Sequence, residues 1–317
     1  MNFRTYEDLT KCIIKNLCKI PRDIDLIVGI PRSGTMVANI LALYLNLPFT
    51  DINNFVNRGK FTTGTTRKCK NWIKSIDEAK HVLIVDDSIS SGKAMKEARH
   101  LIAEEHINAK CTYMAVYALG ISEKMVDIYL ERCEQPRMFE WNYMHHWALE
   151  YCCMDIDGVV CMDPEREQND DGEKYIDFLN HATPKFIPTQ KVGRFVTTRL
   201  EKYREQTEEW LKGHGIEYDE LIMMEGVTAR ERAIAGNHAE FKARVYKDCD
   251  SILFFESDYE QALHICELSK KPVFCIETRT LITSDNVVSK LKVHNKEFIV
   301  TAKRTIRKLA KKINYVK

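Results

Sequence analysis

The sequence predicts an α/β chain of two Rossmann-like domains, each built on a parallel sheet. Three observations carry that reading. Short apolar runs such as "DLIVGI", "HVLIVDD" and "CTYMAVYAL" alternate with helical patterns such as "SGTMVANILALYLN" and "SGKAMKEARHLIAEEH". Strands that alternate with helices make a parallel sheet covered on both faces. The pattern then restarts with "YCCMDIDGVV", "GRFVTTR", "DELIMME", "SILFFES" and "KPVFCIE". Between the two sets lies "EQPRMFEWNYMHHWALE", which puts one domain at residues 1–147 and the other at 148–317. Length agrees, because 317 residues with 44% hydrophobic content suffice for two cores.

Composition excludes several classes. The chain carries 47 Lys and Arg against 46 Asp and Glu, so no basic field invites nucleic acid. The first residues, "MNFRTYEDLTKCIIKNLCK", mix charges with apolar positions and hold no signal-peptide core. The longest apolar stretch, "MVANILALYLNLPF", is too short to span a bilayer. Eleven cysteines show no zinc spacing, which predicts free thiols in a reducing cytoplasm. Adjacent Cys152 and Cys153 read as buried strand residues rather than as a redox pair.

The first candidate site is "VLIVDDSISSGKAM", residues 82–95. An apolar strand runs into Asp86 and Asp87, whose like charges repel unless a ligand occupies them. Ser90, Ser91, Gly92, Lys93 and Ala94 follow, a small turn opening a helix. Such a turn offers backbone N–H groups to an anion, and the two acids accept hydrogen bonds from a vicinal diol. A sugar phosphate satisfies both. Upstream, "LIVGIPRSGTMVA" is a second strand, tight turn and helix start containing Pro31, Arg32, Ser33 and Gly34. Between them lies the polar, basic segment "NRGKFTTGTTRKCKNW".

Together these residues resemble the signature of type I phosphoribosyltransferases, over about residues 20–120. In that family the first stretch binds the ribose 5-phosphate part of phosphoribosyl pyrophosphate (PRPP), and the Pro31–Gly34 turn corresponds to a pyrophosphate loop that often holds a non-proline cis peptide. The basic segment corresponds to a loop that closes over PRPP. Ala94 departs from the family, which usually has Thr or Ser there. The resemblance implies Mg2+-assisted loss of pyrophosphate and attack by an acceptor.

The second candidate site begins at "CCMDIDGVVC". Asp155 and Asp157, two residues apart after an apolar run, resemble the DxD motif of haloacid-dehalogenase-like phosphatases. That resemblance makes Asp155 the nucleophile and Asp157 the acid–base partner. It assigns Thr197 to the phosphoryl oxygens, with Thr198 as second choice, and Lys242 to charge neutralisation, with Lys247 second. Glu256 and Asp258 are the further Mg2+ carboxylates expected beside Asp155 and Asp157, with the assignment between Glu256 and Asp258 left open. Only a short segment separates Asp155 from Thr197, so the cap is expected to be small or absent. The final "AKRTIRKLAKKINYVK" is basic with apolar residues on one helical face, which fits core packing or contact with an anionic membrane.

A PRPP-using transferase followed by a phosphatase would install an unphosphorylated ribofuranosyl unit. The combination resembles bacterial polysaccharide enzymes that act on a lipid-linked glycan at the cytoplasmic face of the membrane. The resemblance leaves two alternatives open. One is a nucleobase phosphoribosyltransferase fused to a nucleotidase, which needs a base-stacking hood. The other is a PRPP-sensing regulator.

Overall fold

The computed structural model describes residues 1–64, 66, 73–169, 172–225 and 238–287. The basic C-terminal segment, and positions 65 and 67–72 of the expected closing loop, lie outside the described residues. The described chain forms two compact units, one of Asn2–Trp141 and one beginning at Asn142.

The first unit holds β1 (Asn2–Arg4), α1 (Tyr6–Lys15), β2 (Leu26–Gly29), α2 (Ser33–Leu45), β3 (Phe49–Asp51), α3 (Ile52–Val56), β4 (His81–Ile89), α4 (Lys93–Glu104), β5 (Lys110–Ala118), β6 (Ile128–Arg132) and β7 (Arg137–Phe139). Its main sheet is parallel throughout, in the order β3-β2-β4-β5-β6. Alternation along the strands sends Leu26, Val28, Val82 and Ile84 to one face, against Phe55 of α3 and Met95 and Ala98 of α4. Ile27, Leu83, Val85, Met114 and Val116 go to the other, against Leu9 and Ile13 of α1 and Val37 and Leu41 of α2. Burial on both faces is why these strands read as continuous apolar runs.

Within the first unit β7 pairs in parallel with β1 across 135 residues of sequence. One sequence expectation needs correction here: strand β4 does not end at the two acids. It continues to Ile89, with Asp86 opposite Ala115 and Ser88 opposite Tyr117. Nine-residue β5 keeps β4 paired on one side, whereas β2 on the other side stops at Gly29, opposite Val85. Asp86 and Asp87 therefore lie just beyond the end of β2.

The second unit holds β8 (Cys152–Met154), α5 (Glu173–His181), β9 (Val192–Leu200), α6 (Arg204–Gly213), β10 (Tyr218–Met224), α7 (His238–Asp248), β11 (Leu253–Glu256), α8 (Tyr259–Ser269), β12 (Val273–Cys275) and β13 (Thr280–Ile282). The strand order is β10-β9-β8-β11-β12-β13. Five strands are parallel, but β13 runs antiparallel to β12, so this sheet is mixed rather than purely parallel. A short turn after β12 returns the chain directly alongside it, which only an antiparallel partner allows. Cys153, Val196, Phe254 and Val273 pack with Ala243 and Tyr246 of α7 and Leu263 of α8. Between β8 and β9 the one described helix is α5. Among the described residues no helix is long and apolar enough to cross a membrane.

Candidate functional site

In the first unit the chain leaves β2 for β3 on one side, then returns to β4 on the other. That reversal opens a crevice beyond the carboxyl ends of β2 and β4, where ligands bind in open α/β sheets. Both predicted motifs border it. Pro31 and Arg32 are exposed, and their peptide is cis. Ser33 and Gly34 begin α2, whose N-cap residue, Arg32, makes no side-chain cap. Gly34 must lack a side chain, since a Cβ there would lie 2.6 Å from the Val85 carbonyl oxygen and 3.0 Å from Asp86 Cα. This close approach sets the start of α2 against the acids. Gly92 (φ 72) caps α4, again without a side-chain cap, and Ser90, Ser91, Lys93 and Ala94 are exposed around it. Two helix N-termini thus offer amide groups at one crevice.

The two acids have different surroundings. Asp87 is buried and accepts from Ser33 Oγ (2.8 Å) and Trp141 Nε1 (2.7 Å). Asp86 is partly exposed, and its Oδ1 accepts from the Asp87 amide at 2.9 Å. Burial, then the adjacent Asp87 charge, pushes the Asp86 carboxyl up to about 9. Asp86 is therefore the acid open to a diol, while Ser33 serves Asp87. Trp141 stacks on Phe139 at 4.9 Å, and half-exposed Tyr6 tilts against it at 5.6 Å. Sequence reading missed Trp141, which reaches Asp87 across 54 positions. An indole at the end of an apolar β7 was its one local signal.

In the second unit, register puts Asp155 and Glu256 side by side just past β8 and at the end of β11. Lys242, from α7, lies between them. Its Nζ donates to Asp155 Oδ2 (2.6 Å), Glu256 Oε2 (2.8 Å) and Gln261 Oε1 (3.1 Å). All three charged side chains are buried. Burial raises the Asp155 pKa against the opposing pull of Lys242, and both carboxylates hold the ammonium above its usual value. Lys247, the second choice, is exposed in the last turn of α7.

Asp157 lies beside Arg199, which sequence reading missed although it ends the quoted "GRFVTTR". Arg199 Nη2 donates to Asp157 Oδ1 at 2.6 Å, and Nε to Oδ1 and Oδ2 at 3.2 and 3.1 Å. Thr207 Oγ1 and Phe178 hold the guanidinium from behind. Gly158 (φ 72) turns the chain after Asp157, where a Cβ would meet Ser257 Cβ at 2.5 Å. These groups border a cavity of about 750 Å³ lined by Asp155, Asp157, Lys242 and Asp258, with Thr198, Asp163, Lys185, Tyr175 and Phe186. Thr198, not Thr197, faces it. Thr197 is buried, and its Oγ1 accepts from the Arg199 amide at 3.2 Å.

The residues do not fit the expected Mg2+ set of Asp155, Asp157, Glu256 and Asp258. Glu256 is held by Lys242 and by the amides of Ser257 (2.9 Å) and Asp258 (3.2 Å), and Asp157 is held by Arg199. Asp258 accepts from the Gln261 amide as the cap of α8. Among the described residues no three His, Cys, Asp or Glu side chains are grouped to hold a metal.

Residues 3–147 match the family described as the phosphoribosyl transferase domain. The purine biosynthesis transcriptional repressor PurR of Bacillus subtilis is 26% identical over 119 residues, which is 34% of this chain and 42% of that protein. The chain thus spans less than half of the curated relative it matches. Among solved structures, a purine phosphoribosyltransferase from Pyrococcus horikoshii is 22% identical, with 44% of this chain and 92% of that one covered and a TM-score of 0.33. A xanthine-guanine-hypoxanthine phosphoribosyltransferase from Helicobacter pylori is 17% identical, covering 44% and 91%, with a TM-score of 0.33.

Removing Lys242 leaves two buried carboxylates without their cation. Lys242→Met is expected to cost about 3–5 kcal/mol of stability, read by urea unfolding. Glu256→Gln added to it should recover part of that loss. Strictly additive effects would contradict the shared-cation geometry. For Asp86, the unfolded carboxyl loses its proton near 4 while the folded one keeps it to about 9. Between those values the unfolded chain binds fewer protons, so stability falls as pH rises. Asp86→Asn should therefore gain stability relative to the native chain as pH rises through that window. Parallel stability curves would contradict the shift.

Proposed function

Starting from a phosphoribosyltransferase domain over residues 3–147, we propose that this chain transfers a 5-phosphoribosyl group from PRPP to an acceptor. The observation that carries this reading is the crevice where Asp86 and two helix N-termini without side-chain caps meet. The amides at Arg32–Gly34 take the pyrophosphate, and those at Ser91–Lys93 take the 5-phosphate. Asp86 accepts from the ribose hydroxyls beside the developing positive ring. Asp87, bonded to Ser33 and Trp141, ties the start of α2 to β4.

For the acceptor, a planar nucleobase is the reading the first unit supports best. Trp141 and half-exposed Tyr6 put aromatic rings next to the acid pair, which is what a base-stacking hood requires. The glycan acceptor is the second reading, and the acidic cavity of the second unit favours it. There Asp155 would take a phosphoryl group from the 5-phosphoribosyl product, Lys242 would balance its charge, and water would release phosphate. Because Asp157 spends its oxygens on Arg199, proton transfer at this site includes that pair. A third outcome, PRPP bound but not consumed, agrees with the repressor name of the curated relative.

The test incubates the full chain with PRPP and Mg2+, plus purine bases, orotate or a glycan acceptor, and follows pyrophosphate release. A base-dependent burst that falls at least ~100-fold in Asp86→Asn is expected. Release with the glycan alone moves the acceptor to the second reading. Tight PRPP binding without release under any acceptor leaves the sensor reading standing and contradicts transfer.

A further inference from the structure

Beneath the second site lies a pair of thiols that none of this chemistry uses. Cys153 is in the middle of β8, two residues before Asp155, and is fully buried. Cys249 directly follows α7, the helix that carries Lys242, and is half-buried. Their sulfurs share a hydrogen bond at 3.7 Å across 96 positions of sequence. Cys152, the neighbour that sequence reading grouped with Cys153, instead donates to the Ala148 carbonyl at 3.2 Å.

The surroundings divide the two roles. Cys249 Sγ donates to the Tyr246 carbonyl at 3.3 Å, and its contact with Cys153, then Ser251 and the Lys271 ammonium, draws the Cys249 thiol down to about 5. Lys271 is held close by the carbonyls of Tyr246 and Cys249, both at 2.8 Å. Arg194 adds a second positive charge beside both cysteines. A half-buried thiol beside two cations, with its sulfur 3.7 Å from that of a fully buried one, is the arrangement of a peroxide-reactive cysteine with a resolving partner.

We propose that Cys153 and Cys249 form a reversible oxidation site, closed by a disulfide when the chain meets a peroxide. The Cys249 thiolate attacks one peroxide oxygen. The O–O bond breaks, hydroxide leaves and takes a proton to become water, and Cys249 becomes a sulfenic acid. The Cys153 sulfur attacks the Cys249 sulfur and the S–O bond breaks. The departing hydroxide takes the Cys153 proton as a second water. Two thiols and one peroxide thus give one disulfide and two waters, and a dithiol reductant reverses the change. The bond fastens the strand that bears Asp155 to the end of the helix that bears Lys242. This site stands independently of the acceptor and of the phosphatase reading.

The test treats the folded full chain with hydrogen peroxide, blocks remaining thiols with iodoacetamide, and maps peptides by mass spectrometry. A peptide pair joining Cys153 to Cys249, lost on dithiothreitol treatment, is expected. Cys153→Ser should leave a sulfenic acid on Cys249 that dimedone captures, and Cys249→Ser should abolish both products. Oxidation confined to exposed thiols such as Cys18, with Cys153 and Cys249 alkylated only after unfolding, would overturn the proposal. The native-chain map decides it even where a variant fails to fold.

Discussion

One ammonium makes the second site possible. Parallel pairing of β8 with β11 brings Asp155 and Glu256 together in a buried layer, where two negative charges repel strongly. Lys242 reaches both from α7 and ties them to Gln261. The packing of α7 on the sheet, the turn at Gly158 and the orientation of Thr198 into the cavity all serve that arrangement. Arg199 answers the same constraint for Asp157, from a strand on the opposite side of β8. Each acid of the DxD sequence thus has its own buried cation.

The first unit meets the same problem differently. Asp87 accepts from the neutral donors Ser33 and Trp141 and feels the charge of buried Arg137, and burial favours the protonated form of Asp86. An acid kept short of counter-charge beside two helix N-termini is poised for a ligand that brings hydroxyls and phosphates together. That contrast separates the two units chemically. One leaves a carboxyl without a direct cationic partner, while the other holds a carboxylate already matched to a lysine.

Sequence patterns revealed most of the framework because buried parallel strands write themselves as apolar runs. The acids at 86, 87, 155 and 157 stood out for the same reason, as charges at the edge of such runs. What stayed hidden depended on distant partners. The extension of β4 past Asp87 follows from the length of β5, and β7 exists because β1 is available to pair with it. Trp141 on Asp87 and Arg199 on Asp157 are contacts across 54 and 42 positions. Thr197 and Thr198 lie where β9 sets the four steps from Val196 to Leu200 against two of β10, from Ile222 to Met224, an irregularity that a period of two does not reveal.

The pairing of Asp155 with Lys242 is tested most directly by trapping. The full chain, mixed with ribose 5-phosphate and quenched in acid within its turnover time, is digested and its peptides weighed. Under the proposal that the second unit removes the 5-phosphate, a phosphoryl group on Asp155, absent in Asp155→Asn and much reduced in Lys242→Met, is expected. Phosphate release that continues undiminished in Asp155→Asn, or a phosphoryl group on another residue, would contradict the role given to this carboxylate.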